Sequence, residues 1–190
     1  MSEPVRITVP DDLGRLRGLR AGTAVLLSGP VFTARDATHA RLVAELERDG
    51  ALPYGLAGAV LFYAGPTPAA AGRPVGSVGP TTAKRMDAWT PTLLAAGITA
   101  TIGKGARSDA VRAACARHGA VYLAAVGGAA ALLATKVVSA TPVAYADLGT
   151  EALVRLELSE FPAWVAIDAE GNDLYAEARS GLAHGEEGER

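Results

Sequence analysis

Two spacings of apolar residues divide this chain. Where apolar residues alternate with polar ones or run together briefly, strands are expected: residues 5–9, 23–28, 59–64, 98–102, 120–126 and 143–146. Gly29-Pro30 and Gly65-Pro66 close two of these runs. Where apolar residues recur every third or fourth position, helices are expected. One covers residues 36–48, opened by Asp36 and stopped by Gly50; another runs from Ser108 or Asp109 to Arg117, stopped by Gly119. A third starts at Thr81 or Thr82 and runs through Lys84 and Arg85 towards Gly97, with Pro91 as a break. A fourth covers residues 129–138 behind Gly127-Gly128. Residues 13–22 form a charged connector with room for a helical turn. Residues 151–158 alternate like a half-exposed strand, and 164–168 with 174–175 read as a hairpin around Glu170-Gly171-Asn172.

Strand and helix alternate through the middle of the chain, which implies a parallel sheet flanked by helices. The ends contribute strands without long helices, so a second, partly antiparallel sheet is expected. The fold expected is α/β, a three-layer β/β/α arrangement with a mostly parallel central sheet. A chain of 190 residues is long enough for one real core and short for two. One domain over residues 1–180 is expected, with 181–190 a polar, frayed tail.

Composition narrows the function classes. Eighteen Lys and Arg against 20 Asp and Glu leave a net charge of −2, with no basic run, so neither nucleic acid nor an anionic membrane surface is an expected partner. The start of the chain lacks the basic and apolar regions of a signal peptide, and no apolar run is long enough to span a bilayer. A cytoplasmic location is expected. Cys115 is the only cysteine, which excludes an internal disulfide framework and an iron–sulfur cluster ligated by this chain's cysteines alone. It reads as a small helix-core residue. His39, His118 and His184 have no metal-ligand spacing, so no metal site is expected here.

The candidate chemistry centres on Gly79-Pro80-Thr81-Thr82-Ala83-Lys84-Arg85-Met86-Asp87. On a helix start, Thr81 and Arg85 would share one face, beside unpaired backbone amides and the positive dipole end. A hydroxyl, a guanidinium and bare amides suit a carboxylate; a capped helix with a surface arginine fits the same residues. Arg35, Arg85 and Lys104 each follow a Gly-, Pro- or Thr-rich strand-to-helix junction, where ligands of open parallel sheets bind. Together they suit a small dicarboxylate, arginine as a fork and lysine as a point charge; singly, each reads as solvated. Gly103 and Gly105 would let backbone approach a ligand, but the stretch lacks the spacing of a nucleotide P-loop. Asp36 and His39, three apart, are placed to hydrogen-bond and set the imidazole tautomer, or else to cap and pack locally. Thr81 as a general base needs Arg85 and the dipole to favour its alkoxide.

These motifs in this order resemble the β subunit of two-subunit class I fumarases and L(+)-tartrate dehydratases, and the C-terminal domain of single-chain class I fumarases. The resemblance rests on the stretch from Gly29 through Thr33-Ala34-Arg35-Asp36-Ala37-Thr38-His39, on Tyr63-Ala64-Gly65-Pro66, and on Gly79-Pro80-Thr81-Thr82-Ala83 with Arg85-Met86-Asp87. Gly103-Lys104-Gly105, Gly127-Gly128-Ala129, Asp147-Leu148-Gly149 with Glu151-Ala152, and Phe161-Pro162-Ala163 extend it over most of the chain. It implies a swivelling β/β/α domain. It also implies that Arg35, Thr81, Arg85 and Lys104 contact the substrate, with Thr81 the base and Arg85 its activator, and that Asp36, His39, Gly79, Thr82, Gly103 and Gly105 support them. The family's 4Fe–4S cluster acts as a Lewis acid and is held by cysteines of the α subunit or N-terminal domain. This chain would then supply half a site within a hetero-oligomer, for reversible hydration of fumarate to L-malate. The alternatives are L(+)-tartrate dehydration and a non-catalytic dicarboxylate-binding domain without a cluster partner.

Overall fold

The structure, a computed structural model, describes residues 3–186. Strands β1 (Val5–Thr8), β2 (Ala24–Thr33), β3 (Val60–Phe62), β4 (Ala100–Gly103) and β5 (Val121–Ala124) lie side by side and parallel in that order. Two more strands, β6 (Val137–Ala144) and β7 (Leu153–Ile167), are antiparallel to each other. Residues 164–167 of β7 pair with β5, while residues 154–164 pair antiparallel with β2. Strands β2, β3, β4, β5 and β7 therefore close into a ring. The chain is mixed α/β, as expected, and the sheet curls shut where an open parallel sheet with a second layer was expected.

Alternation along the strands builds two cores. Val25, Leu27, Val60, Phe62, Ile102, Leu123, Leu156 and Phe161 fill one side. Leu61, Tyr63, Tyr122 and Ile167 point the other way, beneath α2 (Asp36–Asp49), α3 (Thr90–Ala95) and α4 (Asp109–His118). The expected stops hold α2 and α4, since Gly50 and Gly119 both take the left-handed conformation at φ 74° and 61°. Ser108 caps α4 by accepting from the Val111 amide. Helix α1 (Leu13–Arg17) is the short turn expected in the charged connector.

Five expectations are corrected. Strand β2 continues through Gly29-Pro30 instead of ending there, because β7 supplies a partner and Gly29, at φ 101°, makes the bulge; a Cβ on Gly29 would stand 2.1 Å from the Val9 carbonyl oxygen. Strands expected separately at 151–158 and 164–168 are one strand, β7, continuous through Glu160 at φ 50°, whose amide donates to Ser28 Oγ. The helix expected over 129–138 is the short α5 (Ala130–Ala134), because β-branched Val137 and Val138 enter β6 against β7. The helix expected from Thr81 or Thr82 to Gly97 is a 3-10 turn, Ala83–Met86, then α3 with Pro91 in its first turn. The turn after Ile167 forms, but Asp173 makes only one bridge before α6 (Leu174–Glu186) begins. The carboxylate of Asp168 accepts from the Glu170 and Asn172 amides, and Asp173 Oδ1 accepts from Tyr175 and Ala176, so the second arm becomes a capped helix. Of the expected tail, residues 187–190 lie outside the described residues. Among the described residues, no helix is long and apolar enough to cross a membrane.

Candidate functional site

The carboxyl ends of β2, β3 and β4 lie adjacent, and the candidate residues sit where the chain leaves them. After β2, Arg35 takes the extended N-cap conformation of α2. Its Nη2 faces Glu151 Oε1 at 3.4 Å, while its Nε is buried without a partner. Glycine is required at position 65, after β3: a Cβ there would stand 2.7 Å from the Thr150 carbonyl oxygen and 3.1 Å from Arg35 Nη1. Asp36 grips Arg85 in a bidentate pair, accepting from its Nε at 3.0 Å and its Nη2 at 2.6 Å. Arg85 thus reaches α2 from the 3-10 turn, and its side chain remains about half exposed, at 48%.

Thr81 joins the ends of β3 and β4. Its amide donates to the Tyr63 carbonyl at 2.6 Å and its carbonyl accepts from the Lys104 amide at 3.1 Å. Thr82 forms a parallel bridge with Lys104, and the Ala83 amide donates back to the Lys104 carbonyl at 2.9 Å. Gly103 allows this close approach, because a Cβ would stand 2.9 Å from both Tyr63 Cδ2 and Ala83 Cβ. Gly79 allows another, since a Cβ would stand 2.9 Å from that of Ala130. Gly105 turns the chain at φ 82°. The exposed Lys104 side chain lies along Gly127, at the wall of a cleft of ≈ 330 Å³ that also includes Val126 and Trp164.

The structure therefore brings Arg35, Asp36 and Arg85 together, and joins Thr81, Thr82, Gly103 and Lys104 through their backbones. Two local expectations fail. Thr81 and Arg85 do not share a helical face, because Thr82 is extended (ψ 112°) and the turn begins only at Ala83. Two of the amides expected to be bare at that start are taken, those of Thr81 and Ala83, by the Tyr63 and Lys104 carbonyls. Asp36 does not bond His39. The His39 Nδ1 lies 2.8 Å from the Arg35 carbonyl oxygen, while Asp36 turns to Arg85. A carbonyl has no proton to offer, so Nδ1 carries the proton and Nε2 is the bare nitrogen, without a partner. Burial, against the pull of the Arg35 carbonyl, pushes the imidazole down to about 4. His39 is a neutral, buried ring packed edge-on against Tyr63, with centroids 5.0 Å apart.

Beneath this rim lies an ion pair that sequence reasoning did not single out. The Arg107 side chain is fully buried and donates from Nε to Asp87 Oδ1 at 2.7 Å and from Nη2 to Thr90 Oγ1 at 2.7 Å. Its guanidinium lies between the rings of Tyr63 and Tyr122, 5.1 and 4.9 Å from their centroids. Asp87 also accepts from the Ser108 amide at 2.7 Å, and Tyr122 donates to the Gly105 carbonyl at 2.8 Å. The pair thereby fastens the turn carrying Arg85 to the loop carrying Lys104. The signal available in the sequence was the two tyrosines inside apolar strands, whose hydroxyls need buried partners.

Among the described residues, no group of three or more His, Cys, Asp or Glu is placed to hold a metal ion. Cys115 is a buried residue of α4, and burial pushes its thiol up to about 11.

Residues 2–178 match the family model described as fumarase C-terminus. The chain is 39% identical over 157 residues to fumarate hydratase 2 of Leishmania major, covering 82% of this chain and 28% of that protein. It is 38% identical over 165 residues to the anaerobic class I fumarate hydratase of Escherichia coli K12, covering 86% and 30%. Against the L(+)-tartrate dehydratase subunit beta of the same strain it is 35% identical over 176 residues, covering 90% and 86%. The chain thus spans less than a third of the fumarate hydratases it matches and most of the tartrate dehydratase subunit.

Proposed function

The chain belongs to the fumarase C-terminus family, and from that premise we propose that it supplies the substrate-holding half of a hydro-lyase site. The reaction is the reversible hydration of fumarate to L-malate, or of a closely related dicarboxylate. Arg35, Arg85 and Lys104 hold the two carboxylates. Thr81, as its alkoxide, takes the carbon-bound proton when water is lost and, as the resulting hydroxyl, returns it when water is added. Asp36 holds the Arg85 fork through two hydrogen bonds, so the guanidinium meets a ligand already oriented. Gly79, Thr82, Gly103 and Gly105 set the backbone around Thr81, and His39 supports the β2–α2 junction as a neutral ring. One observation carries this reading: residues far apart in sequence meet beyond the carboxyl ends of three adjacent parallel strands, Thr81 bonded through its backbone to Tyr63 and Lys104, and Arg85 bonded to Asp36, the neighbour of Arg35.

The residues present do not fit an iron–sulfur cluster, because the single cysteine is buried and its thiol strongly protonated. In this reading the 4Fe–4S cluster belongs to an α subunit, and the working enzyme is a cytoplasmic hetero-oligomer. The name of the E. coli subunit beta supports the need for a partner. The swivelling β/β/α description fits the two cores, one between facing walls of the ring and one beneath the helices. The same rim accepts L(+)-tartrate, and the match along 86% of a tartrate dehydratase subunit favours that as the second reading.

The test is anaerobic reconstitution with a cluster-bearing α subunit, assayed with fumarate, L-malate and L(+)-tartrate. Turnover is expected only from the complex, and the preferred substrate separates the two readings. Turnover by this chain alone contradicts the half-site. Stable assembly with the α subunit and dicarboxylate binding without turnover would favour a non-catalytic binding domain.

A further inference from the structure

The Glu151 side chain stands at the centre of contacts that the proposed reaction leaves unexplained. Its Oε2 accepts from the Ala37 amide, in the first turn of α2, at 2.9 Å. Its Oε1 faces Arg35 Nη2 at 3.4 Å, and its backbone carbonyl accepts the Thr38 hydroxyl. The residue is held independently of its carboxylate: Thr33 Oγ1 donates to the Ala152 carbonyl and accepts from the Val154 amide, both at 3.1 Å. A segment more than a hundred residues downstream is thus clamped onto the β2–α2 junction, with one carboxylate divided between a helix amide and a guanidinium. Both members of the ion pair are largely shielded, Arg35 at 25% and Glu151 at 23% side-chain exposure. Shielding strengthens their attraction relative to a solvated pair. The absent Cβ of Gly65, beside the Thr150 carbonyl, also gives Arg35 its seat.

We propose that Glu151 is a positioning residue for Arg35, fixing the fork that receives one carboxylate of the substrate. Glu151 and the close backbone at Gly65 restrict the guanidinium, and the ligand takes the edge they leave open. The inference rests on the reading of Arg35 as a carboxylate-binding residue. Glu151 itself does not touch the ligand, so it acts only through Arg35.

That dependence gives a test in the full-length chain. L-malate is titrated into the wild type, Glu151→Gln, Arg35→Gln and the double variant, each assembled anaerobically with the cluster-bearing α subunit. Glutamine keeps an acceptor for the Ala37 amide and removes the charge that holds Arg35. Glu151→Gln is expected to weaken L-malate binding roughly tenfold. The double variant is expected to bind no more weakly than Arg35→Gln alone; independent, additive losses overturn the proposal. A second readout needs no ligand. The Arg35 Nε–Hε resonance is expected to shift and exchange faster with solvent in Glu151→Gln, and an unmoved resonance overturns the proposal. If wild type binds no L-malate while that resonance still responds to Glu151, the dicarboxylate reading fails and the positioning role stands. Glu151→Asp, which retracts the carboxylate by one methylene, is the second variant should glutamine impair folding; it too must move the Arg35 resonance.

Discussion

Acid should destabilise this fold through His39. The ring is fully buried, its Nδ1 proton is committed to the Arg35 carbonyl, and its Nε2 has no acceptor for a second proton. Its pKa falls from 6.5 to about 4, chiefly by burial. Between those values the unfolded chain takes up a proton that the folded chain refuses, so stability is lost as the pH drops from 6.5 towards 4. A shift of this size corresponds to about 3 kcal/mol in full, and to about 2 kcal/mol between pH 7.5 and pH 5. That is a large share of the roughly 5–15 kcal/mol that stabilises an ordinary domain. The assay is urea unfolding of wild type and His39→Gln at pH 7.5 and pH 5. The other titratable groups are common to both proteins and cancel in the comparison. The variant is expected to start less stable at pH 7.5 and to lose about 2 kcal/mol less than wild type at pH 5. Equal acid losses in the two proteins, or a His39 ring resonance titrating near 6.5, would refute the reasoning.

Three further outcomes follow from close packing and burial. Gly103→Ala places a methyl 2.9 Å from both Tyr63 Cδ2 and Ala83 Cβ, so thermal unfolding should report a loss of about 1–3 kcal/mol. Arg107→Met removes the partner of Asp87 and should cost roughly 3–5 kcal/mol in urea unfolding, with Asp87→Asn in the same background recovering part of it. Cys115 should resist a thiol-specific reagent at pH 8 in the folded chain and react at once after denaturation, because it is buried and its thiol is held up near 11.

Much of this architecture is legible where local signals and tertiary context agree. Helix α2 starts after Arg35 and ends on a left-handed Gly50; α4 runs from Ser108 to Gly119; the short apolar runs became β3, β4 and β5. Legibility fails where a distant partner decides. Gly29-Pro30 looks like a strand breaker, yet β2 pairs with β7 across it because a bulge between Leu27 and Gly29 absorbs the irregularity. Residues 174–175 alternate suitably for a strand arm, but the Asp168 and Asp173 carboxylates organise a turn and a helix start.

The candidate site shows the same division. Positions of Arg35, Thr81, Arg85 and Lys104 after successive strands follow from the strand–helix rhythm and from the family motifs. Their local geometry does not: Pro80 and an extended Thr82 keep Thr81 out of the helix, and Asp36 finds Arg85 rather than its neighbour His39. Arg107 sits in a Gly-Ala-Arg-Ser stretch that reads as an exposed loop. Only the three-dimensional meeting of Tyr63, Tyr122 and Asp87 explains its burial.

In the proposed function, Thr81 moves the substrate proton while Arg35, Arg85 and Lys104 hold the acid. The most direct measurement compares wild type and Thr81→Ala, each assembled anaerobically with the cluster-bearing α subunit, for turnover and for L-malate binding. The account predicts that the variant loses turnover while L-malate still binds within about threefold of wild type. Full turnover by Thr81→Ala would contradict it.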